Sequence, residues 1–220
     1  MVQEFTQEMK NATHEVLREV HTALPGKIIS FNPDKCEADV LPYGKFKLPD
    51  GSQLDYPQIN GVPVYVMQGS GQTATFAYPI KPGDECLLLF SEQALDTWRT
   101  QAESDTDLKF DLTNAVALVG LFSQPNPLVK EACDDDAVII EKDGERIRLK
   151  KGEICIQDTA GQSITLTPDA VTLTVNSLAI QASGAVTVQA AGSATVQASG
   201  NVEVNAGGNV AIKGAAIDLN

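Results

Sequence analysis

Residues that commonly bind metals or carry out catalysis are few and widely spaced in this sequence. His14 and His21 are seven residues apart, whereas a metal-binding pair on one helix needs a spacing of four. We therefore expect both histidines to face solvent on an N-terminal helix. The cysteines lie far apart and form no CxxC pair, so they are expected to be buried thiols of a reducing compartment rather than zinc ligands or disulfides.

Acidic side chains are also poorly placed for catalysis. A polysaccharide-degrading enzyme needs two carboxylates facing one groove, and residues 159–220 contain only Asp169, Glu203 and Asp218. The acidic run Glu131–Asp136 is a candidate metal site, although such a run is more often a solvated linker. We predict that the protein is not an enzyme and that it holds no catalytic residue, metal or cofactor.

Composition excludes several classes of partner and location. The 220 residues carry a formal net charge of −13, which argues against nucleic acid or an anionic membrane as a partner. The N-terminus, MVQEFTQEMKNATHEV, has charges where a signal peptide needs an apolar run, and no stretch of 18 apolar residues occurs. We expect no signal peptide and no transmembrane helix.

The C-terminal part contains a repeat of eight residues. No charged residue lies between Asp169 and Glu203, and the octads read GAVTVQAA, GSATVQAS, GNVEVNAG and GNVAIKGA. Even-numbered positions are apolar or small, while odd positions are mostly polar or Ala, which is the period of a β-strand. The large apolar members of the even face are Leu178, Ile180, Val186, Val188, Val196, Val202, Val204, Val210 and Ile212.

An octad is long enough for one short strand and a bend, which is one face of a triangular prism. The other two faces would come from two more copies of the chain, and this pairing leaves few open strand edges. We predict an intertwined triple-stranded β-helix with the even positions at its axis. Its repeat turns would lie at Gly184, Gly192, Gly200 and Gly208, with positive φ or close backbone approach. An amyloid-like or adhesin-type repeat remains an alternative.

Residues flanking the repeat indicate where the needle begins and ends. From residue 137 apolar and polar residues alternate, with turn sequences at Asp143-Gly144, Lys151-Gly152 and Ala160-Gly161. At the far end the apolar phase shifts to Ile217 and Leu219, which we assign to the tip. The needle is therefore predicted at 137–220.

The N-terminal half is predicted to be a separate domain. Apolar residues at three- and four-residue steps indicate a helix over 1–24, which Pro25-Gly26 ends. Five short strands separated by turn sequences favour an OB-fold barrel at 25–128, joined to the needle by an acidic linker at 129–136. The region lacks a basic stripe with interleaved aromatics, so nucleic-acid binding is not expected. The fold class is mainly β.

Three stretches resemble a known family. LPGKIISFNPDKCEADVLP, LPDGSQLDYPQINGVPVYVMQGSG and YPIKPGDECLLLFSEQALDTW are similar to the N-terminal domain of the membrane-piercing central spikes of contractile phage tails, of the Gp138 and baseplate-assembly-protein-V types. The resemblance implies a homotrimer whose OB collar seats on the baseplate hub. It also implies a triple-stranded β-helix that pierces the target-cell envelope when the sheath contracts. Phage-derived bacteriocins use similar spikes.

Two departures from that family shape the expectations. Short spikes of this kind close their tip with a His-x-His pair around iron, and this sequence has no histidine after His21. We expect an apolar tip without metal, covered by a partner such as a PAAR-type cap. Too few residues separate the predicted barrel from the predicted needle for a lysozyme domain to lie between them. We expect assembly in the bacterial cytoplasm into a virion or bacteriocin particle; a receptor-binding or polysaccharide-degrading tail spike is the alternative.

Overall fold

The computed structural model describes residues 2–18, 20–48, 50–101 and 108–218, which divide into two compact units, Met1–Val138 and Ile139–Asn220. The helices among the described residues are α1 (Val2–Arg18), α2 (Leu95–Thr100) and α3 (Pro127–Asp134). The strands of the first unit are β1 (Ala23–Asn32), β2 (Glu37–Pro42), β3 (Lys45–Lys47), β4 (Gln53–Asp55), β5 (Ile59–Pro63), β6 (Met67–Gly69), β7 (Ala74–Phe76), β8 (Glu85–Phe90) and β9 (Ala115–Val119). The remaining strands are β10 (Ala137–Lys142), β11 (Glu145–Lys150), β12 (Glu153–Gln157), β13 (Ser163–Leu166) and β14 (Val171–Thr174).

A curled five-stranded sheet forms the centre of the first unit. Its order is β5-β2-β1-β8-β9, and all four pairings are antiparallel. The two edges approach each other just beyond β5, where Val64 forms a parallel bridge with Ala117 and the Tyr65 N–H donates to the Ala117 carbonyl at 2.9 Å. The register of β1 against β2 shifts between Ile28 and Ser30, and such a bulge increases the local bend of a strand.

Alternating apolar residues of this sheet form the core. Ile28, Val40 and Leu88 are fully buried, and they come from three neighbouring strands. Gly26 permits close packing there, because a Cβ at this position would lie 2.7 Å from Val40 Cγ1. The other buried apolar residues are Ala38, Ile59, Val62, Val64, Cys86, Phe90, Ala115 and Ala117.

Asn114 fixes the end of the long loop that precedes β9. Its side chain is 3% exposed, and its Nδ2 group donates to the carbonyls of Ser91, Gln93 and Leu108 at 2.8–3.1 Å. Its Oδ1 accepts from the Leu95 N–H at 2.9 Å. These side-chain bonds add to backbone bonds of the same region, such as the one from the Ser91 N–H to the Asn114 carbonyl at 2.8 Å, and they link the start of β9 to the start of α2.

A second sheet, a simple meander in the order β10-β11-β12-β13-β14, begins at the end of the first unit. Its first turn places Asp143 and Gly144 at φ 54° and 92°, the left-handed region that two-residue hairpin turns require. The next two turns include Gly152 and Gly161, also at positive φ. All three turns fall where the turn sequences predicted them.

Helical boundaries differ from the sequence-based expectation in two places. The N-terminal helix ends at Arg18 rather than at residue 24, because Ala23 already pairs with Leu89 as part of β1. The segment predicted as an acidic linker at 129–136 lies mostly within α3. Asn126 caps this helix by accepting the Leu128 N–H, and Pro127 at the first helical position favours the same start.

Candidate functional site

The meander carries an ordered apolar face. Directly opposed residues on β11 to β14 form two rows of four side chains across the sheet. One row contains Leu149, Ile154, Leu166 and Val171, and the other contains Ile147, Ile156, Ile164 and Leu173. Paired aliphatic side chains of this kind stabilise the sheet from one face, and here they also create a continuous apolar surface.

No described residue of the chain covers this apolar face. Seven of its eight side chains are between 38% and 45% exposed, and Val171 is 73% exposed. The row of Ile147, Ile156, Ile164 and Leu173 lines an open cavity of about 480 Å³, which Ile140 and Val175 extend. Covering such side chains would contribute about 1 kcal/mol each, since full burial of an aliphatic residue is worth about 1.5–3 kcal/mol. A patch of this kind marks an interaction surface.

The opposite face of the same sheet is polar and internally paired. The Arg146 guanidinium forms a short ion pair with Glu141, and Arg148 bonds Glu153 at 2.7 Å. Thr165 Oγ1 lies 3.7 Å from Cys155 Sγ. On the polar face, ion pairs and hydroxyl contacts link side chains of the same chain. The aliphatic face is left exposed by all the residues that the structure describes.

The repeat continues the exposed apolar surface beyond the meander. The nine residues assigned to the trimer axis are 52–86% exposed, with Val188 the most exposed at 86%. Within the described part of this segment, residues 175–218 form no strand with another part of the same chain. A β-strand needs a hydrogen-bonded partner, so the predicted strands can form only if another chain supplies one.

The backbone of the repeat nevertheless shows the predicted period. It bends at 183–184, 191–192, 199–200 and 207–208, each bend ending on an octad glycine, and the bend at Ala215 follows eight residues after the start of the preceding one. None of these four glycines has a positive φ, and a Cβ on any of them would meet no atom of this chain within 4 Å. Our expectation of positive φ at the octad glycines is therefore wrong for the single chain, whereas close backbone approach to other copies stays a prediction. Ile217 is 49% exposed, and Leu219 lies outside the described residues.

The curled sheet of the first unit forms a half-barrel (the barrel), which carries a second apolar groove. Pro25, Tyr43, Leu121 and Phe122 line a cavity of about 470 Å³, and Phe122 is 54% exposed. The Glu85 carboxylate accepts from the Ser123 hydroxyl at 3.0 Å and so holds the chain that follows β9. This groove is a second candidate interaction surface.

Groups with possible chemistry are placed for packing rather than for catalysis. His21 lies outside α1, and its ring packs against Tyr56 and Phe90 at centroid distances of 5.9 and 5.6 Å, so it is not the solvent-facing helical residue we predicted. Cys86 is buried, which raises its pKa to about 11, while Cys133 is exposed, contrary to expectation. Among the described residues, no three His, Cys, Asp or Glu side chains cluster to hold a metal ion.

Two features were not visible in the sequence. Asn114 gave no signal, because its four hydrogen-bond partners lie 6 to 23 residues earlier in the chain, and no local pattern reveals such contacts. Ile140 rather than Ile139 lines the apolar concavity, since the alternation alone does not say which of two adjacent isoleucines faces the sheet. A hairpin register anchored at Asp143-Gly144 identifies the correct one.

The fold is mainly β, and both units carry exposed apolar surfaces. Residues 24–120 match the family described as the phage protein Gp138 N-terminal domain, which indicates a phage structural protein of the tail or baseplate, associated with the virion. The match covers the barrel and stops before α3 and the meander. No curated protein matches the chain. None of the described helices is long and apolar enough to span a membrane.

Proposed function

We propose that this protein is the central cell-puncturing spike of a contractile phage tail or phage-like bacteriocin. Three copies form a collar from their barrels and a needle from residues 137–220. On sheath contraction the needle pierces the target-cell envelope. The function is mechanical, and no residue performs catalysis.

The uncovered apolar face of the meander is the observation that carries this proposal. Three identical sheets can turn their aliphatic rows towards a common axis and bury them, while their ion-paired faces stay in water. The octads then continue the same axis with small aliphatic residues. A trimer with three-fold symmetry buries both segments without any other partner.

The strand order of the first unit supports an OB-type collar. In that fold a five-stranded Greek-key barrel closes between its third and fifth strands. Counting only the five strands of the curled sheet, β5 is the third and β9 the fifth, and the Val64–Ala117 bridge lies between them. The match to a phage protein's N-terminal domain covers this same region.

The remaining partners follow from the exposed surfaces. The groove beside Phe122 is available to the baseplate hub, and the apolar residue Ile217 near the far end of the chain suits a PAAR-type cap. The target-cell envelope is the substrate of the mechanical step. The uncharged stretch between Asp169 and Glu203 gives anionic lipid or polysaccharide little to hold, and this favours passage.

Adjacent substitutions on β13 test the proposal. Ile164→Asp places a carboxylate on the aliphatic face, whereas Thr165→Asp places one on the polar face; Ile164 is already 40% exposed in the single chain. Light scattering of the full chain should give a mass near three times 23.4 kDa for the parent and for Thr165→Asp. The Ile164→Asp trimer should dissociate. A monomeric parent, or trimers of equal stability for both variants, would contradict the proposal.

A further inference from the structure

Helix α1 carries a narrow apolar stripe with heptad spacing. Five of its apolar residues follow one another at steps of three, four, three and four, namely Val2, Phe5, Met9, Ala12 and Val16, while Leu17 lies outside this series. This is the a/d pattern of a coiled coil, whereas a helix packed on a globular core shows a wider stripe. The spacing therefore favours another helix as the partner of α1.

The stripe is uncovered in the single chain. Phe5, Met9 and Val16 are 63%, 56% and 65% exposed. Hydrogen bonds of neighbouring polar side chains stay within the helix, from Gln7 Nε2 to Asn11 Oδ1 and from Thr13 Oγ1 to the Met9 carbonyl. These polar contacts leave the described side chains of the apolar seam exposed.

We propose that α1 packs against the α1 helices of two further copies as a parallel three-helix coiled coil. This inference rests on the proposed trimer and adds a second contact between its chains, at the end opposite the needle in sequence. Occupation by copies of itself is favoured because each copy offers the same heptad seam, and cyclic symmetry makes the three helices parallel.

Charge at the flanking heptad positions favours the parallel arrangement. With the seam at a and d, Glu8 and Glu15 occupy g positions, and Thr6 and Thr13 occupy e positions. A parallel coil places each g residue beside an e residue of its neighbour, so Glu8 meets Thr13 and no like charges face each other. An antiparallel pair would bring the glutamates together at g positions and be disfavoured.

The length of α1 makes this coil dependent on the rest of the trimer. Its 17 residues span about 25 Å, and helices of about this length are marginal in water on their own. A needle that already joins three chains raises the local concentration of α1 to the order of millimolar. The coil therefore stabilises a trimer that the needle has already formed, and it does not assemble the trimer by itself.

Disulfide trapping in the full chain tests the coil. In a Cys133→Ser background, Ala12→Cys places thiols at a seam position and Asn11→Cys places them on the outer surface. After mild oxidation, denaturing gels should show disulfide-linked dimers forming at least tenfold faster for Ala12→Cys. Met9→Cys should behave like Ala12→Cys, so one badly tolerated variant does not decide the outcome.

The mass of the untreated variants separates the two proposals. A trimer in which Ala12→Cys and Met9→Cys cross-link no faster than Asn11→Cys overturns the coil and leaves the spike standing, with another protein covering α1. A monomeric parent overturns the proposed spike, and the coil with it. Preferential cross-linking of both seam variants within a trimer supports the coil.

Discussion

The two units of this chain use the same alternation of apolar and polar residues in opposite ways. In the first unit the curled sheet turns its apolar face inward, and Ile28, Val40 and Leu88 are completely buried. In the meander the corresponding face holds longer, uninterrupted aliphatic rows, yet all eight side chains remain at least 38% exposed. A two-residue period therefore specifies which residues share a face, but not whether the chain itself can cover that face.

Curvature accounts for the difference. The β1–β2 bulge and the bridge between Val64 and Ala117 bring the edges of the first sheet together, so its residues cover one another. The meander has tight hairpins and regular register throughout β11 to β14, so no bulge or bridge between these strands brings the edges of the sheet together. An open sheet with one aliphatic face needs a second layer, and we propose that two further copies supply it.

Removal of the second unit should have the largest effect on this comparison. A chain that ends after Val138 keeps every buried apolar residue of the barrel, so it should fold with cooperative thermal unfolding. It should lose the trimer, because it lacks the apolar face of the meander and the octads, and neither the collar contacts nor the marginal α1 coil replaces that buried surface. Particles assembled with it should no longer kill target cells.

Two results of that truncation would contradict these expectations, one concerning the barrel and the other the second unit. Circular dichroism that shows an unfolded fragment would mean that the barrel depends on the needle. A fragment that stays trimeric at micromolar concentration, or particles that still kill, would mean that the second unit is not the needle.

The next largest effect concerns two neighbours in the repeat. Val188→Asp would place three carboxylates at the proposed axis, where desolvation costs several kcal/mol per group even after relaxation. Gln189→Asp lies on the outer face of the proposed prism and should change stability by about 0.5 kcal/mol. Loss of SDS-resistant trimer on heating measures both. Equal stability of the two variants would mean that the phase of the repeat, or the prism itself, is wrong.

How far the sequence predicts the structure also differs between the units. Four strands of the curled sheet (β1, β2, β8 and β9) and the three turns of the meander were predicted, because their signals are local: alternation, and turn residues such as Asp143-Gly144. The third strand, expected at 62–67, lies instead at Ile59–Pro63, and the short hairpins β3–β4 and β6–β7 were not expected. The end of α1 was placed six residues too late, since the three- and four-residue spacing continues to Val20 while β1 pairing begins at Ala23. The position of His21 between Tyr56 and Phe90 depends on contacts distant in sequence, which no local pattern reveals.

The axis residues are a different case. Val186 and Val188 were assigned to a face by the octad period, and this chain alone leaves them 61% and 86% exposed. Their burial depends on other copies, so the assignment remains a prediction. Asn114 was missed because its partners lie 6 to 23 residues earlier in the chain, and no local pattern reveals such contacts.

A smaller effect is expected from a cavity in the barrel core. Leu88→Ala removes a side chain that is 0% exposed, and such a change costs about 2–5 kcal/mol. The loss should appear in the unfolding of the barrel and leave the trimer mass unchanged, because Leu88 packs within the core of the first unit. Denaturant unfolding monitored through Trp98 gives the first quantity, and light scattering gives the second. Dissociation of the Leu88→Ala trimer under native conditions would show that the two units are coupled.

The smallest expected change is in the rate at which a thiol reagent labels Cys86. This rate shows whether trimer assembly alters the stability of the barrel. Burial raises the pKa of this thiol from the ordinary 9.0 to about 11, so the protonated form stabilises the folded barrel fully below pH 9 and progressively less as the pH rises through 11. At pH 8 the folded barrel should keep Cys86 unreactive towards a thiol reagent, while the exposed Cys133 reacts at once and serves as the internal control. Val188→Asp should release the trimer without changing the slow rate at Cys86, since the barrel buries this residue against its own strands. Mass spectrometry of the labelled peptides measures both rates. Faster labelling of Cys86 in Val188→Asp would show that trimer assembly stabilises the barrel. That result would contradict the expectation that the barrel is stable through its own buried core.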